Sequence, residues 1–252
     1  MPGIKAEAKP LKAVVIGASS GIGRSLVHEL ALRGYDVGFT ARRTELLESL
    51  QKEIPSRTVF KAMDVENAEE SVSTLQSLIE ELGGMDLIVI NSGINRPNPA
   101  LQWELERETI DINARGFTAL ADFSGRYFLK QGKGHLAGVS SIAGQHGSPR
   151  APAYCASKAY MSIYLQGLFF RLSPHGIAVT DIRPGFVDTP MIAGRKSKFW
   201  VTSSKRAAVQ IADALEARKS VVYVSRRWVF VAFLFAVIPN WVFRLLYERF
   251  KS

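Results

Sequence analysis

The clearest indication of the fold is the sequence LKAVVIGASSGIGRSLVHELALR at residues 11–33. Residues 11–16 are a short apolar run of the kind that forms a buried strand, and residues 24–33 have helical periodicity. Gly17, Gly21 and Gly23 lie between them. Glycines permit a positive φ and a close backbone approach, and free N–H groups at the start of a helix can hold a diphosphate. This order of strand, glycine turn and helix predicts a dinucleotide-binding unit.

Apolar runs and helical segments alternate along most of the remaining chain. Further strands are predicted at residues 35–40, 57–62, 86–90, 136–139, 177–182 and 221–224, with helices between them. Such alternation is typical of a parallel sheet. We therefore predict a single α/β domain with a doubly wound parallel sheet, a Rossmann fold, over residues 1–225. An apolar and basic helical tail is predicted over residues 226–252.

The composition limits the classes of protein to which the chain can belong. The chain has 252 residues, 47% of them apolar, which is enough for a well-buried core. The single cysteine, Cys155, excludes an intrachain disulfide and a multi-cysteine metal site, and it suits a reducing compartment. Residues 1–10 are polar and lack the apolar segment of a signal peptide. We expect a cytoplasmic protein, and the four histidines have no metal-ligand spacing, so no metal is predicted.

A second motif, SSIAGQHGSPRAPAYCASK at residues 140–158, carries candidate acid–base residues. Tyr154 and Lys158 lie four residues apart in a predicted helix, so their side chains leave the same face. A neighbouring ammonium lowers the pKa of a phenol toward working pH, as a general acid or base requires. Ser140 and Ser141 follow an apolar strand, at the edge where open α/β sheets bind ligands. The alternative is that the Tyr–Lys pair is merely solvated.

The end of the second predicted strand indicates the form of the cofactor. Arg42 and Arg43 follow this strand, and no carboxylate occurs between Asp36 and Glu45. An acidic residue near this point would bind the ribose hydroxyls, whereas arginine accommodates a 2′-phosphate. We therefore predict NADP(H) in preference to NAD(H). The alternative is that both arginines are only solvated.

Two further groups leave alternatives open. Asn91, Ser92 and Gly93 follow the fourth strand, where they form either a tight turn or a frame for the adenosine side of a cofactor. Asn113 lies within a predicted helix, where asparagine is unfavourable. It either bends the helix or presents its amide inward.

The last quarter of the chain departs from the alternating pattern. Residues 1–182 hold 19 Lys and Arg against 19 Asp and Glu, whereas residues 183–252 hold 13 against 4, so this quarter carries the net charge of +9. Residues 191–204 lack periodicity and include Arg195, Lys196 and Lys198, which suggests a lid over a substrate. Residues 228–238 are apolar throughout but too few to cross a bilayer, and residues 241–250 combine apolar and charged side chains.

Three explanations of the tail are open. Aromatic and basic residues together suit the interface of a membrane, so we predict peripheral membrane contact, on the cytoplasmic face. The second explanation is a helix pair that packs on the lid or on a partner subunit. The third is nucleic-acid binding, but no recognised binding fold accompanies the charge, and we predict no nucleic-acid partner.

With these residues in hand, the chain resembles the short-chain dehydrogenase/reductase family over about residues 11–224. The glycine turn resembles the family's glycine-rich motif, although Ile16 replaces its usual threonine. Residues 91–93 resemble its Asn-Asn-Ala-Gly stretch in shortened form, and Tyr154-x3-Lys158 resembles its catalytic pair. Ser141 precedes Tyr154 by 13 residues, the family's usual interval. Asn113 falls where the family has a helix asparagine, and Pro184-Gly185 where it has its nicotinamide-side turn.

The resemblance implies a mechanism. Tyr154 would donate a proton to a substrate carbonyl as hydride arrives from the nicotinamide, and Ser141 would hold the carbonyl oxygen. Lys158 would lower the pKa of Tyr154 and bind the nicotinamide ribose, and Asn113 would hold a water that returns protons. The implied catalytic residues are Asn113, Ser141, Tyr154 and Lys158. The implied cofactor-binding residues are Gly17, Ser19, Ser20, Gly21, Ile22, Gly23, Arg42, Arg43, Asp64, Val65, Asn91, Ser92, Gly93, Tyr154, Lys158, Pro184, Gly185, Val187 and Thr189.

The leading hypothesis is an NADP(H)-dependent carbonyl reductase or alcohol dehydrogenase that acts on a small, lipophilic substrate at a membrane surface. One alternative is a non-catalytic NADP(H)-binding sensor or scaffold, because fold alone does not establish activity. Another is a soluble reductase whose tail is an oligomer interface. The family resemblance also implies a homodimer or homotetramer formed through two long helices, residues 113–130 and 152–172.

Overall fold

The computed structural model describes residues 9–193, 199–225, 227–239 and 241–243, without the side chains of residues 236 and 237. Nine strands occur in this part of the chain. They are β1 Lys12–Ile16, β2 Asp36–Ala41, β3 Thr58–Ala62, β4 Leu87–Ile90, β5 Gly134–Val139, β6 Ile177–Pro184, β7 Val187–Asp188, β8 Thr202–Ser203 and β9 Val221–Val224. The predicted lid residues Arg195, Lys196 and Lys198, and the tail from residue 244 onward, lie outside the described residues.

Eight α-helices connect and flank these strands in the described ranges. They are α1 Gly21–Leu32, α2 Thr44–Lys52, α3 Ala68–Leu82, α4 Trp103–Ile110, α5 Phe117–Gln131, α6 Pro152–Leu172, α7 Ser204–Glu216 and α8 Trp228–Val237. A π-helical turn, Asp111–Gly116, joins α4 to α5, and short 3₁₀ turns cover Ile142–Gln145, Ser173–His175 and Pro190–Ile192.

The seven main strands form one parallel sheet in the order β3-β2-β1-β4-β5-β6-β9. Strand order reverses between β1 and β4, because β2 lies on one side of β1 and β4 on the other. In open α/β sheets this reversal opens a crevice at the carboxyl ends of the strands. The predicted doubly wound parallel sheet is confirmed. The small β7–β8 ladder is an addition to the predicted sheet.

Side chains alternate across the sheet and build two apolar cores. On β1, Ala13 and Val15 pack into the core that includes α1, α2 and α7. Val14 and Ile16 pack into the opposite core with α3, α5 and α6. Strands buried on both faces read as continuous apolar runs, which is why their positions could be predicted from the sequence.

The helix around Asn113 does not end at this residue, although asparagine is unfavourable within a helix. The backbone remains helical from Trp103 to Gln131 and passes through the π-helical turn at Asp111–Gly116. Such a turn admits an extra residue without ending the helix. Asn113 is fully buried within it.

Candidate active site

A cleft of about 930 Å³ opens along the carboxyl ends of the central strands. The chain segments that follow β1, β2, β4, β5 and β6 contribute to its walls, together with α6 and α8. The cleft is lined by every predicted cofactor-binding residue except Gly23, and by Ser141, Tyr154 and Lys158 of the predicted catalytic set. Asn113 lies beneath the surface of the cleft and does not line it.

The glycine turn has the backbone conformations that its sequence requires. Gly17 has φ +88° and Gly21 has φ +57°, which side-chain-bearing residues rarely adopt. A Cβ added to Gly23 would lie 2.1 Å from the carbonyl oxygen of Gly17, so Gly23 permits close packing of the helix on the turn. The contribution of Gly23 to cofactor binding stays a prediction, and the structure shows its part in the packing of the turn.

The start of α1 is suited to an anionic ligand. Ser20 is the N-cap residue, and its side chain makes no capping hydrogen bond. The N–H groups of the first turn therefore lack a side-chain cap, and the helix dipole favours negative charge there. Asn91 supports the turn from below, since its Nδ2 donates to the carbonyl oxygen of Gly17 at 2.8 Å. These residues fit the diphosphate of a dinucleotide.

The end of β2 places two arginines at the same cleft. Arg42 and Arg43 both line it, and Arg43 Nη2 donates a hydrogen bond to Ser19 Oγ at 3.0 Å. Both guanidinium-bearing residues are exposed. This side of the cleft therefore has positive charge next to the uncapped turn.

Tyr154 and Lys158 lie on the first two turns of α6. Pro152 lies in the first turn of this helix. Backbone N–H groups of the first turn have no acceptor within the helix, so proline, which lacks an N–H, is tolerated there. The Nζ of Lys158 lies 5.9 Å from the centroid of the Tyr154 ring and donates to the carbonyl oxygen of Val139 at 2.8 Å. The predicted juxtaposition of phenol and ammonium is therefore present in the structure.

Burial controls the charge of Lys158. Desolvation lowers the pKa of the Lys158 ammonium to about 8, and the Asp181 carboxylate opposes this shift. Asp181 is itself buried, accepts a hydrogen bond from Ser140 Oγ, and pairs with Arg183 Nε at 2.6 Å. Asp181 was not among the residues predicted from the sequence, because nothing local indicates that β6 lies next to Ser140.

The two serines after β5 have different surroundings. Ser140 donates to Asp181 and faces β6. Ser141 begins the 3₁₀ turn at Ile142–Gln145, where its Oγ accepts from the N–H of Ala143 at 3.1 Å. The Ser141 hydroxyl also lies 3.4 Å from the carbonyl oxygen of Pro184. The hydroxyl of Ser141, which is not tied to a carboxylate, is the one suited to a substrate oxygen.

Asn113 connects the loop after β4 to α6. Its Oδ1 accepts from the N–H of Ile94 at 2.8 Å, and its Nδ2 donates to Ile94 O at 2.9 Å and to Ser157 Oγ at 3.1 Å. A Cβ on Gly93 would lie 3.1 Å from Asn113 Oδ1 and 3.2 Å from Lys158 Nζ. Both side chains therefore adjoin Gly93, and the amide of Asn113 points inward.

Glu106 of α4 holds the start of the helix that carries Tyr154. Ala151 is the N-cap of α6 and provides no side-chain cap. Glu106 Oε2 instead accepts from the N–H of Ala153 at 3.1 Å, and its Oε1 accepts from Asn98 Nδ2. A carboxylate at a helix N-terminus is favourable for both its hydrogen bond and its charge. This contact between distant segments has no signal in the sequence.

Aromatic and aliphatic side chains wall the other end of the cleft. Phe199, Val231, Phe235 and Phe243 line it, and His146 stacks on Phe243 with ring centroids 3.6 Å apart. Trp228 is buried against the cleft in a cluster with Ile142 and Ala232. The first helix of the predicted tail is thus part of the cleft wall. The contact of Trp228 with Trp200 agrees with the alternative in which the tail packs on the lid. The place of this helix in the cleft wall was not predicted, because residues 228–238 are apolar on all sides and do not indicate which side faces inward.

The described residues contain neither a metal-ligand cluster nor a membrane-spanning helix. No group of three or more His, Cys, Asp or Glu side chains in the described ranges is placed to hold a metal ion. Among the helices of the same ranges, none combines the length and apolar character that crossing a membrane requires.

The doubly wound sheet, the glycine turn and the cleft at the reversal of strand order define an α/β protein of the dinucleotide-binding class. A family model described as short chain dehydrogenase matches residues 11–199. The chain belongs to the short-chain dehydrogenase/reductase family and is an oxidoreductase of that family. The predicted family membership is confirmed. Members of this family use a nicotinamide cofactor and small-molecule substrates.

One relative in sequence agrees with this assignment, and two solved structures share the fold. An uncharacterized oxidoreductase of Myxococcus xanthus is 38% identical over 186 residues, which cover 72% of this chain and 74% of that protein. A short chain dehydrogenase of Burkholderia cenocepacia, solved with NADP, superposes with a TM-score of 0.77 at 24% identity, covering 84% of this chain and 95% of the other. A 3-ketoacyl-(acyl-carrier-protein) reductase of Brucella melitensis, solved with NADH, has a TM-score of 0.77 at 20% identity, with 85% and 96% covered.

Proposed function

We propose that this oxidoreductase interconverts a carbonyl group and a secondary alcohol with NADP(H), on a lipophilic substrate at a membrane surface. The observation that carries the proposal is that Ser141, Tyr154 and Lys158 lie in one cleft. The same cleft contains the glycine turn and the start of α1, whose N–H groups have no side-chain cap. A nicotinamide cofactor, when bound, supplies or takes up the hydride. The residues of the chain provide position, charge and the proton.

Each side chain has one task in this proposal. During reduction the Tyr154 hydroxyl gives its proton to the carbonyl oxygen, which leaves a phenolate, and oxidation reverses the transfer. Ser141 Oγ donates a hydrogen bond to the same oxygen. The Lys158 ammonium stabilises the phenolate, since a positive charge nearby favours the ionised form. Asn113 is proposed to hold a water near Lys158, and their shared position beside Gly93 supports this role.

The preference for NADP(H) rests on residues of this chain. Arg42 and Arg43 stand at the end of β2 and line the cleft, and no carboxylate occurs in the sequence between Asp36 and Glu45. A guanidinium group recognises a phosphate through charge-assisted hydrogen bonds. The two solved relatives described above contain NADP in one case and NADH in the other, so they favour neither form.

The lipophilic substrate and the membrane surface are both proposed from α8. Phe235 on this helix lines the apolar end of the cleft, whereas Phe230 and Phe233 are 76% and 69% exposed. Residues 183–252 carry an excess of nine positive charges, 13 against 4, which would attract anionic lipid. We accordingly treat residues 1–225 as the catalytic domain and residues 226–252 as a membrane-contacting tail.

A homodimer or homotetramer is also proposed. Tyr160, Ile163 and Phe170 on α6 are exposed and lie on one face of the helix by their spacing. Large exposed apolar side chains that cluster on one face favour association with another protein surface.

The test combines turnover and binding. Wild type is assayed with NADPH and with NADH against a panel of aliphatic and aromatic ketones, and cofactor binding is followed by fluorescence. We expect faster consumption of NADPH, and a loss of turnover of about 100-fold or more in Tyr154→Phe, because the proton donor is gone. NADPH binding should survive this change. Tyr160→Phe, in the same helix but outside the cleft, is the matched control and should retain activity.

Arg42→Ala extends the test to the cofactor. It should weaken NADPH binding by about tenfold and leave NADH binding unchanged, since only NADPH has the 2′-phosphate. Full turnover in Tyr154→Phe would refute the mechanism, and equal binding of both cofactors by wild type would refute the NADP(H) preference. NADPH binding without turnover of any ketone would favour the non-catalytic sensor.

A further inference from the structure

The first turn of α6, which carries Tyr154, depends on a side chain from another helix. The N-cap residue Ala151 has no side-chain oxygen, so it cannot accept a hydrogen bond from the N–H groups of this turn. Glu106 of α4 provides an acceptor instead. Its Oε2 accepts from the N–H of Ala153, the residue before Tyr154, at 3.1 Å. The backbone next to the proposed proton donor is therefore fixed by a contact with α4.

Glu106 is itself held by Asn98, which is 1% exposed. Asn98 Nδ2 donates to Glu106 Oε1 at 2.5 Å and to the carbonyl oxygen of Gln102 at 2.9 Å. Its Oδ1 accepts from the N–H of Gln102 at 2.8 Å, and its own N–H donates to the carbonyl oxygen of Arg150 at 2.7 Å. The amide cannot rotate without losing several of these bonds. Each carboxylate oxygen of Glu106 therefore has a donor, and the carboxylate is held in one orientation.

Different contacts hold Lys158, which lies one turn further along α6. Its Nζ donates to the carbonyl oxygen of Val139 at 2.8 Å and lies 3.4 Å from Met161 Sδ. Neither partner belongs to α4 or to the segment that contains Asn98. Loosening the first turn of α6 should therefore displace Tyr154 and leave Lys158 in place.

We propose that Glu106 is a positioning residue: its carboxylate fixes the first turn of α6 so that the Tyr154 hydroxyl lies against the substrate carbonyl. Glu106 does not line the cleft, so it acts through Tyr154 and not by contact with substrate or cofactor. A displacement of about 1 Å at a reacting group can lower a rate about 100-fold. The inference rests on the proposed function, since it needs proton transfer at Tyr154. It goes beyond that function by giving a residue outside the cleft a part in catalysis.

The experiment measures ketone reduction by the full-length protein. Turnover is expressed per cofactor-binding site, counted by fluorescence titration, so that unfolded protein does not contribute. Glu106→Ala should lower kcat about tenfold and leave the affinity for the cofactor and the KM for the ketone as in wild type, because Lys158 and the cleft lining are retained. Glu106→Gln has one oxygen for the two donors, Ala153 N–H and Asn98 Nδ2, and should have an intermediate kcat.

Glu104→Ala is the matched control. It removes an exposed carboxylate from the same helix, outside the cleft lining, and should have the kcat of wild type. A double-mutant cycle with Tyr154→Phe then separates positioning from general support of the fold. If Glu106 acts through the Tyr154 hydroxyl, Glu106→Ala should hardly change the residual turnover of Tyr154→Phe. The same tenfold loss with and without this hydroxyl, or no loss in Glu106→Ala alone, would overturn the inference.

Cys155 provides a measurement that needs no turnover. It is the single cysteine of the chain, it lies two residues after Ala153, and it is 6% exposed. Its reaction with the thiol reagent dithionitrobenzoate should be several-fold faster in Glu106→Ala than in wild type or Glu104→Ala, because a loosened turn opens more often. If wild type reduces no ketone, the proposed function is refuted, and this rate alone decides whether Glu106 orders the turn. An unchanged rate in Glu106→Ala would show that it does not.

Discussion

Lys158 shows how one buried residue depends on another that is distant in sequence. Its Nζ is desolvated, which disfavours the ammonium form and lowers its pKa to about 8. Asp181 on β6 is the negative group that raises the pKa again, and it is held in place by Ser140 and Arg183. The charge available to stabilise a Tyr154 phenolate is therefore set partly by a residue that does not line the cleft.

We expect kcat/KM for carbonyl reduction to fall as the pH rises through about 8, because the Lys158 ammonium loses its proton there. Asp181→Asn should move this midpoint to lower pH. The amide can still accept from Ser140, but it no longer favours the ammonium form of Lys158. The pH profile of kcat/KM measures the shift independently of the amount of folded protein.

Asp213→Asn is the matched control for this prediction. It removes an exposed carboxylate that pairs with Arg33 on the protein surface, and the midpoint should stay where it is in wild type. A midpoint that is unchanged or raised in Asp181→Asn would show that Asp181 does not control Lys158.

The individual strands, turns and helices that could be predicted are those determined by residues close together in the sequence. The strand, glycine turn and helix at residues 11–33 could be predicted because a continuous apolar run, glycine positions and helical periodicity are all properties of neighbouring residues. The spacing of Tyr154 and Lys158 on α6 is equally local. The β7–β8 ladder has two residues per strand and no periodicity, so it could not be predicted. The π-helical turn at Asn113 left only an ambiguous signal, an unfavourable residue within a helix.

The features of the site that could not be predicted depend on contacts between elements that are far apart in the sequence. Glu106 caps α6 across 47 residues of chain, and Asp181 meets Ser140 across 41. No spacing rule connects such pairs, because they meet only when the sheet order is established. The orientation of α8 was likewise beyond sequence reasoning, since its apolar residues surround the whole helix.

The outward side of α8 yields a prediction about membranes. Full-length Phe230→Ser/Phe233→Ser should lose most of the binding of wild type to vesicles that contain phosphatidylglycerol, because it removes two exposed aromatic rings from the side of α8 that we propose to contact lipid. Co-sedimentation with the vesicles measures binding. Activity toward a small, water-soluble ketone should persist, since neither side chain lines the cleft.

Leu32→Ser is the control for this comparison. Leu32 on α1 is 83% exposed, so its replacement removes a similar exposed apolar group from a different face. It should bind vesicles like wild type. If wild type itself stays in solution with these vesicles, the membrane proposal is refuted, and the oligomer interface becomes the better explanation of the tail.

At the scale of the whole molecule, the sheet faces are covered by helices while some helices expose apolar side chains. Both cores of the sheet are closed by α1, α2 and α7 on one side and by α3, α5 and α6 on the other. The exposed Tyr160, Ile163 and Phe170 on α6 are therefore not needed to close either core. They are free to form a contact with a second copy of the chain.

We expect wild type to sediment as a dimer or tetramer, and Ile163→Arg/Phe170→Arg to sediment as a smaller species. Two charges placed in an apolar interface would be desolvated without partners. Leu32→Arg adds one charge at an exposed apolar position of α1 and should leave the assembly intact. Sedimentation velocity distinguishes these results, and monomeric wild type would contradict the proposal.

Trp228 and Ala232 belong to a small apolar cluster that shares no residue with the two cores of the sheet. A unit with few buried apolar contacts opens at a lower free energy than the whole domain unfolds. The amide hydrogens of α8 should therefore exchange with deuterium through local opening. Those of β1 and β5 should exchange only when the whole domain unfolds. One wall of the cleft would open many times in the life of a folded molecule. Substrate and product could then come and go while the dinucleotide stays bound.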